Sequence, residues 1–320
     1  RLGPAGGRLM ALDVAALADK ARALGDAALL PMSPDVELHW DADYAAYYFS
    51  GNDETPFGDA KSNMVRMLGL TRRIAGADGR AVLHLTAQGS HKGQRFKIAT
   101  VKPYQGHRDG KTHPKNWQAM REWMEGSAEI AGFGVKVWED READDGVAAS
   151  ARYAFESGRR PAIFARDKDF QVFPGRHVSW TTLGITEVEP TTWAVADEDG
   201  RLYGQQWFWL QMLMGDTADH IPGLPKQPTV DGKGFKNCGE GCAFDWIGNT
   251  KSPEEAYAIV RDLYRKFYGE SWPAACVEQA ALLWMRTDNA ASVGDFMRAI
   301  PAKAPELERA LHMLERRIKQ

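Results

Sequence analysis

The stretch VELHWDAD, residues 36–43, joins a short apolar run to two acids that follow it directly. Comparable apolar runs recur at 81–85, 134–138 and 161–165, each bounded by glycine, proline or charged residues. Helical patterns separate these runs at 58–74, 114–130 and 143–157, and Pro114 opens the second of them at a first-turn position. The alternation predicts an α/β fold built around a largely parallel sheet.

The acids of the chain cluster after these apolar segments. They are Asp41 and Asp43, Glu142, Asp144 and Asp145, Asp167 and Asp169, and Asp216 and Asp219. Because ligands of open α/β sheets bind outside the carboxyl ends of the strands, we expect three of the clusters to converge on one edge. Crowded carboxylates either take up protons or bind cations, and their hard oxygens suit magnesium or manganese.

Each acidic cluster also has a structural interpretation. The acids at 142–145 fit the first turn of a helix, where they complement its dipole, and those at 167–169 fit a helix cap. Asp216 and Asp219 fit capping less well, because they follow a predicted helix at 205–214, whose C-terminal end disfavours negative charge. What favours a functional site over these structural interpretations is that all the acidic clusters occur in one chain together with a basic segment.

That basic segment runs from Ser90 to Arg121 and holds eight lysines and arginines against one acid, Asp109. It also carries three histidines, Tyr104 and Trp117, a composition that fits a track for a phosphate backbone with aromatic surfaces for stacking. Such a stretch can equally be a solvated loop. The net charge of the whole chain is −3, which excludes a histone-like polycation but not a nucleic-acid partner.

Composition places the chain among globular proteins. It has 320 residues, of which 44% are hydrophobic and 26% charged, values that argue against disorder. Three cysteines without a CxxC pair favour neither a disulfide framework nor a zinc site, so we expect free thiols and a reducing, cytoplasmic location. We find no secretory signal or membrane span, and we set residues 1–9 aside as leader sequence.

Beyond residue 178 the patterns predict a strand, a hairpin around Asp199 and Gly200, and a helix at 205–214 whose tryptophans and leucines form core. The remainder is predicted to be helical. A loop rich in glycine, proline and lysine interrupts it at 223–241.

Five motifs together resemble the flap endonuclease or 5′-nuclease superfamily, particularly the 5′-to-3′ exonucleases of bacteriophages. They are WDAD at 40–43, YQGHR at 104–108, EADD at 142–145, DKD at 167–169 and GDTADHIPG at 215–223. The resemblance covers roughly residues 35–250. It implies a PIN-like α/β nuclease core with a mainly parallel sheet, a helical arch, a helix-three-turn-helix and C-terminal helices.

The same resemblance implies a site and its cofactors. The catalytic and metal-binding acids would be Asp41, Glu142, Asp144, Asp145, Asp167, Asp169, Asp216 and Asp219, with Arg108 also catalytic. They would hold two Mg²⁺ or Mn²⁺ ions that hydrolyse phosphodiester bonds, and K⁺ would bind at the helix-three-turn-helix. DNA contacts would come from Arg95, Lys102, Tyr104, Gln105, Arg108, Lys111, Gly223, Lys233, Lys236, Gly239 and Gly241.

The expected domains are an extension with a helix at 1–34, a nuclease core at 35–215 with its arch at about 88–121, and a helical DNA-binding region at 216–320. The expected partners are DNA with 5′ ends or flaps, RNA/DNA hybrids and replication proteins. We expect a monomer without membrane contact, in the host cytoplasm if the gene is a phage's.

Three departures from the family pattern leave alternatives open. Thr86 stands where an aspartate normally ends the second strand, Gln105 stands where a catalytic lysine is usual, and Gly241 replaces a lysine of the helix-three-turn-helix. The first two motivate a second hypothesis, a non-catalytic protein that binds branched DNA. A third is a PIN-type ribonuclease, which also uses clustered acids.

Overall fold

A seven-stranded mixed sheet forms the centre of the computed structural model, which describes residues 30–106, 112–228 and 235–320. Its strand order is β3-β4-β2-β1-β5-β6-β7. The strands are β1 (Val36–Asp41), β2 (Ala81–Thr86), β3 (Glu129–Ile130), β4 (Phe133–Trp138), β5 (Arg160–Phe164), β6 (Gly175–Val178) and β7 (Ile185–Val188). The five inner strands are parallel, and β3 and β7 are antiparallel edges. The predicted fold class is confirmed.

The central strands β1 and β2 are buried along their whole length, because helices cover both faces of the sheet. The helices of this half are α1 (Ala42–Phe49), α2 (Phe57–Ile74), α3 (Arg95–Ile98), α4 (Trp117–Glu125) and α5 (Ala143–Glu156). On one face Trp40 packs against Phe164, with ring centroids 4.6 Å apart, within a core that also contains residues of α1 and α2. Burial of such aromatic area supplies a large share of the folding free energy.

The helix predicted at 114–130 is shorter than its pattern, and this prediction was wrong at both ends. Pro114 precedes the helix, which begins after Asn116, whose side chain donates to the carbonyls of Ser50 and Thr55. The helix ends at Gly126, and residues 129–130 form the edge strand β3 instead. Pairing with β4 overrides helix propensity in this segment.

The second half of the chain is mostly helical, as predicted. The hairpin strands β8 (Val195–Ala196) and β9 (Leu202–Tyr203) lead to α6 (Gln206–Met214), and β10 (Gln227–Pro228) pairs with β11 (Phe235–Lys236). The last helices are α7 (Glu240–Ile247), α8 (Pro253–Tyr268), α9 (Trp272–Leu283) and α10 (Pro305–Ile318). Helix α6 lies at the centre of their core with both tryptophans buried, and all three cysteines are free thiols.

The C-terminal helices hold the base of the predicted arch. Lys97 donates to the carbonyl of Ile318 at 2.8 Å, and Arg317 donates to the carbonyl of Ile98 at 2.6 Å. The amide of Thr100 donates to a carboxylate oxygen of Glu278, on α9, at 2.7 Å. These contacts tie residues 97–100 to α9 and α10. None of the helices in the described ranges is long and apolar enough to cross a membrane.

Candidate active site

Acids from three parallel strands lie at one edge of the sheet. Asp41 is the last residue of β1, Glu142 is the N-cap of α5 after β4, and Asp167 comes shortly after β5. Since these strands run in the same direction, their carboxyl ends meet at the same edge, as the sequence predicts. Asp216 and Asp219 approach this edge from the turn that follows α6.

Four carboxylates at this edge, those of Asp41, Asp144, Asp167 and Asp169, have raised pKa values, with burial as the largest cause. Burial, followed by the charges of Asp43 and Asp167, raises the pKa of Asp41 to about 7. Burial and the charges of Asp219 and Asp216 raise the pKa of Asp167 to about 6. The pKa values of Asp144 and Asp169 are also raised well above the ordinary range, by burial and by neighbouring carboxylates. The edge therefore attracts protons or other cations.

Glu142 differs from these four, because donors surround both of its oxygens. Oε2 accepts from the Tyr104 hydroxyl at 2.7 Å and lies 3.2 Å from Nη1 of Arg95. Oε1 lies 3.3 Å from Nζ of Lys92 and accepts from Nε2 of Gln105, also at 3.3 Å. The charge of Glu142 is thus compensated from within the chain.

Arg95 was predicted to contact DNA phosphate, and this interpretation does not fit the structure. Its side chain is only 2% exposed, and its guanidinium binds both carboxylate oxygens of Asp145, at 2.6 and 2.7 Å. Asp145 also accepts from the backbone amides of Glu142 and Arg286. Burial alone would raise the pKa of Asp145, but the charge and hydrogen bonds of Arg95 outweigh it and hold the pKa below its ordinary value. Arg95 therefore compensates the charge of Asp145, and the metal contact predicted for Asp145 stays a prediction.

Tyr104 and Gln105 were also predicted to contact DNA, yet both are buried against the acids. The Tyr104 hydroxyl donates to Asp219 at 3.1 Å as well as to Glu142, and Nε2 of Gln105 donates to the other oxygen of Asp219 at 3.1 Å. Burial and the Glu142 charge raise the pKa of Tyr104 well above its usual value, which keeps the hydroxyl protonated as a donor. The two side chains orient carboxylates rather than face solvent.

Lys92, to which sequence reasoning assigned no individual role, lies at the acidic edge of the sheet. Its ammonium lies against Glu142 and donates to Oε1 of Gln105 at 2.9 Å, while 27% of the side chain remains exposed. The family pattern has a lysine directly after Tyr104, whereas Lys92 precedes Tyr104 by twelve residues. Its position shortly after β2, at the same edge as the acids, is the signal that would have found it.

Thr86 replaces the expected aspartate without leaving a gap. Its hydroxyl and amide both donate to Asp43, the amide at 3.1 Å, and its Oγ1 accepts from the amide of Ala143. Asp43 in turn pairs with Arg121 at 2.5 Å. The position thus links β2 to α1 and α5 through hydrogen bonds, although Thr86 itself carries no charge.

Asp216 is held by Lys168, whose Nζ lies 3.2 Å from Oδ2, and by the amide of Ala218 at 2.6 Å. Asp169 accepts from Nε2 of Gln211, on α6. These contacts position the acids that follow β5 and α6 relative to one another.

Gly223 was predicted to approach DNA, but it is buried against protein backbone. A Cβ on Gly223 would lie 2.4 Å from the amide nitrogen of Gly215, and its φ of 66° is in the left-handed region. Its carbonyl accepts from Tyr268 and Gln279. The DNA-contact prediction for Gly223 therefore does not fit, and the glycine serves close packing of the turn against α6.

The other predicted DNA contacts are distributed as follows. Lys102, Lys236, Gly239 and Gly241 are exposed, and no atom outside the local backbone lies within 4 Å of a Cβ built on either glycine. Arg108, Lys111 and Lys233 lie outside the described residues. In the predicted stacking segment the exposed His113 ring stacks on Trp117, with ring centroids 3.7 Å apart, and contact with bases stays a prediction.

Metal geometry is not preformed. In the part of the chain that the structure describes, no three histidine, cysteine, aspartate or glutamate side chains are positioned together to hold a metal ion. Several acids instead direct their oxygens towards Lys92, Gln105, Arg95 and Lys168.

Comparison with solved structures identifies the architecture. The 5′-exonuclease of T5, solved with bound zinc, superposes with a TM-score of 0.50, covering 88% of this chain and 99% of that one at 15% sequence identity. The chain has the fold of a phage 5′-exonuclease. At this identity the likeness shows the fold alone, and it agrees with the α/β nuclease fold that the motif resemblance implies.

Curated sequences add a shorter match. DNA polymerase I of Bacillus subtilis (strain 168) is 34% identical over 135 residues, and that of Bacillus caldotenax is 36% identical over 89 residues. These alignments cover 41% and 27% of this chain, but only 15% and 10% of the polymerases. No family model matches the chain.

Proposed function

We propose that this chain is a metal-dependent 5′-nuclease that hydrolyses phosphodiester bonds in DNA with 5′ ends or flaps. The observation that carries the proposal is the convergence of acids from the ends of β1, β4 and β5 at the carboxyl edge of the sheet, where burial and neighbouring carboxylates raise the pKa values of Asp41, Asp144, Asp167 and Asp169. Such a surface would repel a phosphate unless cations intervened. The fold shared with the T5 5′-exonuclease and the sequence match to DNA polymerase I agree with it.

The donor set fits a divalent metal. Carboxylate oxygens are the ligands that magnesium and manganese prefer, and crowded, buried carboxylates with raised pKa values are the groups that a bound cation would stabilise in their charged form. Asp41, Asp144, Asp167 and Asp169 would hold the ions directly, with Glu142, Asp216 and Asp219 around them. Bound ions would supply an activated water and stabilise the leaving oxyanion.

Several side chains orient the carboxylates of the proposed metal site or lie beside them. Lys92 is partly exposed beside Glu142, where its ammonium can stabilise the charge that develops on the scissile phosphate. Tyr104 and Gln105 fix the rotamers of Glu142 and Asp219 through four hydrogen bonds. Lys102, Lys236 and the His113 surface would contact the nucleic acid.

Finer assignments are part of the same proposal. Two Mg²⁺ or Mn²⁺ ions, K⁺ near Gly239, RNA/DNA hybrids as further substrates, a monomeric state and contacts with replication proteins follow from the resemblance. The same holds for phosphate contacts by Arg108, Lys111 and Lys233, and for the domain limits at 34 and 215.

One cleavage experiment tests the proposal. A 5′-labelled flap and a blunt duplex are incubated with Mg²⁺ or EDTA, using the wild type, Asp144→Asn and the surface control Asp262→Asn, whose side chain is 64% exposed on α8. We expect Mg²⁺-dependent release of short 5′ products, lost in Asp144→Asn and kept in the control. Binding of the flap without cleavage in either Mg²⁺ or Mn²⁺ would favour the non-catalytic alternative, and faster cleavage of a matched RNA flap would favour a ribonuclease.

A further inference from the structure

A cleft opens beside Asp167 on the side of the sheet edge away from Glu142. Its volume is about 270 Å³, close to the lower end of the range for small-molecule sites. Its lining consists of residues that follow β5, residues at and just after the end of β6, and Arg201 and Tyr203 from the hairpin β8–β9. The cleft thus adjoins the proposed metal site without overlapping the Glu142 side of it.

Three cations line this cleft: Arg166, Lys168 and Arg201. Arg166 is held by a neutral partner, the Tyr44 hydroxyl at 2.6 Å, and stacks over the Tyr44 ring at 4.9 Å. Nη2 of Arg201 donates to the Thr181 hydroxyl at 3.3 Å. Within the described ranges neither arginine forms an ion pair with a carboxylate, so both retain positive charge that an anion can use.

The other polar groups of the cleft suit the same kind of ligand. Ser179 and Thr181 bring hydroxyls, and Asp167 is the lining acid. Arginine binds phosphate through two parallel hydrogen bonds, and hydroxyl donors complete such a site. A phosphate placed there would neutralise the arginines while the rest of a nucleotide fills the remaining volume.

We propose that this cleft binds the phosphate of one nucleotide next to the cleavage site, through Arg166 and Arg201. This proposal rests on the proposed nuclease function, because that function defines the cleavage site next to which the nucleotide lies. The shared chemistry is a nucleotide phosphate, supplied either by the backbone of the bound strand or by a released nucleoside monophosphate.

The test measures binding and not cleavage, so that it can be read even if the chain cleaves nothing. Flap DNAs in EDTA carry a single neutral methylphosphonate at each position within four nucleotides of the junction. Their affinities are compared for the wild type, Arg201→Gln, Arg166→Gln and the control Arg265→Gln, an exposed arginine of α8. A second arm measures binding of dAMP to the same four proteins.

In the first arm we expect one methylphosphonate to weaken binding about tenfold in the wild type and the control, as lost charge-assisted hydrogen bonds predict. The same replacement should change binding less than about twofold in Arg201→Gln, since that variant has already lost the contact. dAMP binding that disappears in Arg201→Gln and Arg166→Gln supports the cleft as a site for the released product.

The proposal is overturned if each methylphosphonate changes the affinity of both variants as much as it changes that of the wild type, and if dAMP binds all four proteins equally or none of them. If the protein cleaves flaps but gives this result, the cleft proposal is rejected and the proposed nuclease function stands. If the protein shows either expected effect without any cleavage, the proposed nuclease function is rejected and the cleft proposal stands.

Discussion

Arg95 and Asp145 form a buried, bidentate ion pair that joins the base of the predicted arch to the first turn of α5. The pair links atoms at 2.6 and 2.7 Å, and Nη1 of the same guanidinium lies 3.2 Å from Glu142. One cation therefore positions two neighbouring acids at the sheet edge. Its carbonyl partners, Leu282 and Trp284, come from the end of α9 and the segment after it.

Replacing Arg95 by alanine should strongly destabilise the protein. The change leaves the fully buried Asp145 carboxylate without its counter-charge, which costs about 3–5 kcal/mol in the free energy of unfolding. Urea denaturation measures this value. The control Arg265→Ala removes an exposed pair with Glu306 and should cost less than about 1 kcal/mol. Equal losses in the two variants would contradict a special role for the buried pair.

Replacing Lys92 by methionine should slow cleavage and leave folding intact. The variant keeps the length of the side chain but loses the ammonium beside Glu142, and removal of one electrostatic contact to a transition state costs about 10²–10³ in rate. Single-turnover rates on a flap substrate check this, with Lys97→Met, whose ammonium binds the carbonyl of Ile318, as the matched control. A wild-type rate in Lys92→Met would remove this residue from the proposed mechanism.

The difference in stability between Asp41→Asn and the wild type should depend on pH. The native pKa of Asp41 is about 7 and its ordinary value is 3.8, so between these values the native state holds a proton that the unfolded state has lost. Asp41 therefore makes the wild type less stable as pH rises from about 4 to 7, whereas asparagine, which also caps helices, does not titrate.

Chemical denaturation in EDTA at pH 4.5, 6 and 7.5 measures this difference. We expect Asp41→Asn to gain stability relative to the wild type at each step upward. Burial lowers the pKa of His39 to about 3 and that of His177 to about 4, so both histidines reduce stability as pH falls below 6.5. Their contribution is common to the two proteins and cancels in the difference, so a difference independent of pH would contradict the raised pKa of Asp41.

Replacement by alanine should have opposite effects on stability at two glycines that were predicted to contact DNA. Gly223→Ala forces a Cβ onto the backbone of Gly215 at a left-handed φ, so we expect a loss of at least about 2 kcal/mol or no folded protein. Gly241→Ala lies in the first turn of α7 with open space around it and should gain up to about 1 kcal/mol. Thermal unfolding of the two variants checks both signs, and equal tolerance would show that the turn relaxes.

The strands and the acids that end them could be predicted from sequence, because strand burial and parallel topology depend on local apolar runs and on connection rules. Val36–Asp41 and Arg160–Phe164 lie within a residue of their predicted limits. The helix around Trp117 was extended too far, because propensity does not register the strand pairing of residues 129–130.

The roles of individual charged residues were harder to predict, since a sequence does not show which basic side chain contacts a buried acid. Arg95 and Lys92 stand three residues apart in the same basic segment. One is sealed against Asp145 and the other reaches the carboxylate edge with a partly exposed side chain. Contacts between residues 50 or more positions apart decide the difference, and no local pattern records them.

The carbonyl and amide groups that hold Arg95 and Asp145 have a consequence for biosynthesis. The amide of Arg286 reaches Asp145 across 141 residues, and Arg317 reaches Ile98 across 219. Contacts of such long sequence separation form late, because much of the chain must be made before they can close. A chain still on the ribosome before residue 282 holds every acid of the sheet edge, but it lacks the carbonyls of Leu282 and Trp284 that accept from Arg95 and the amide of Arg286 that donates to Asp145. Synthesis of the segment at 282–286 must therefore precede completion of the contacts that hold Arg95 and Asp145.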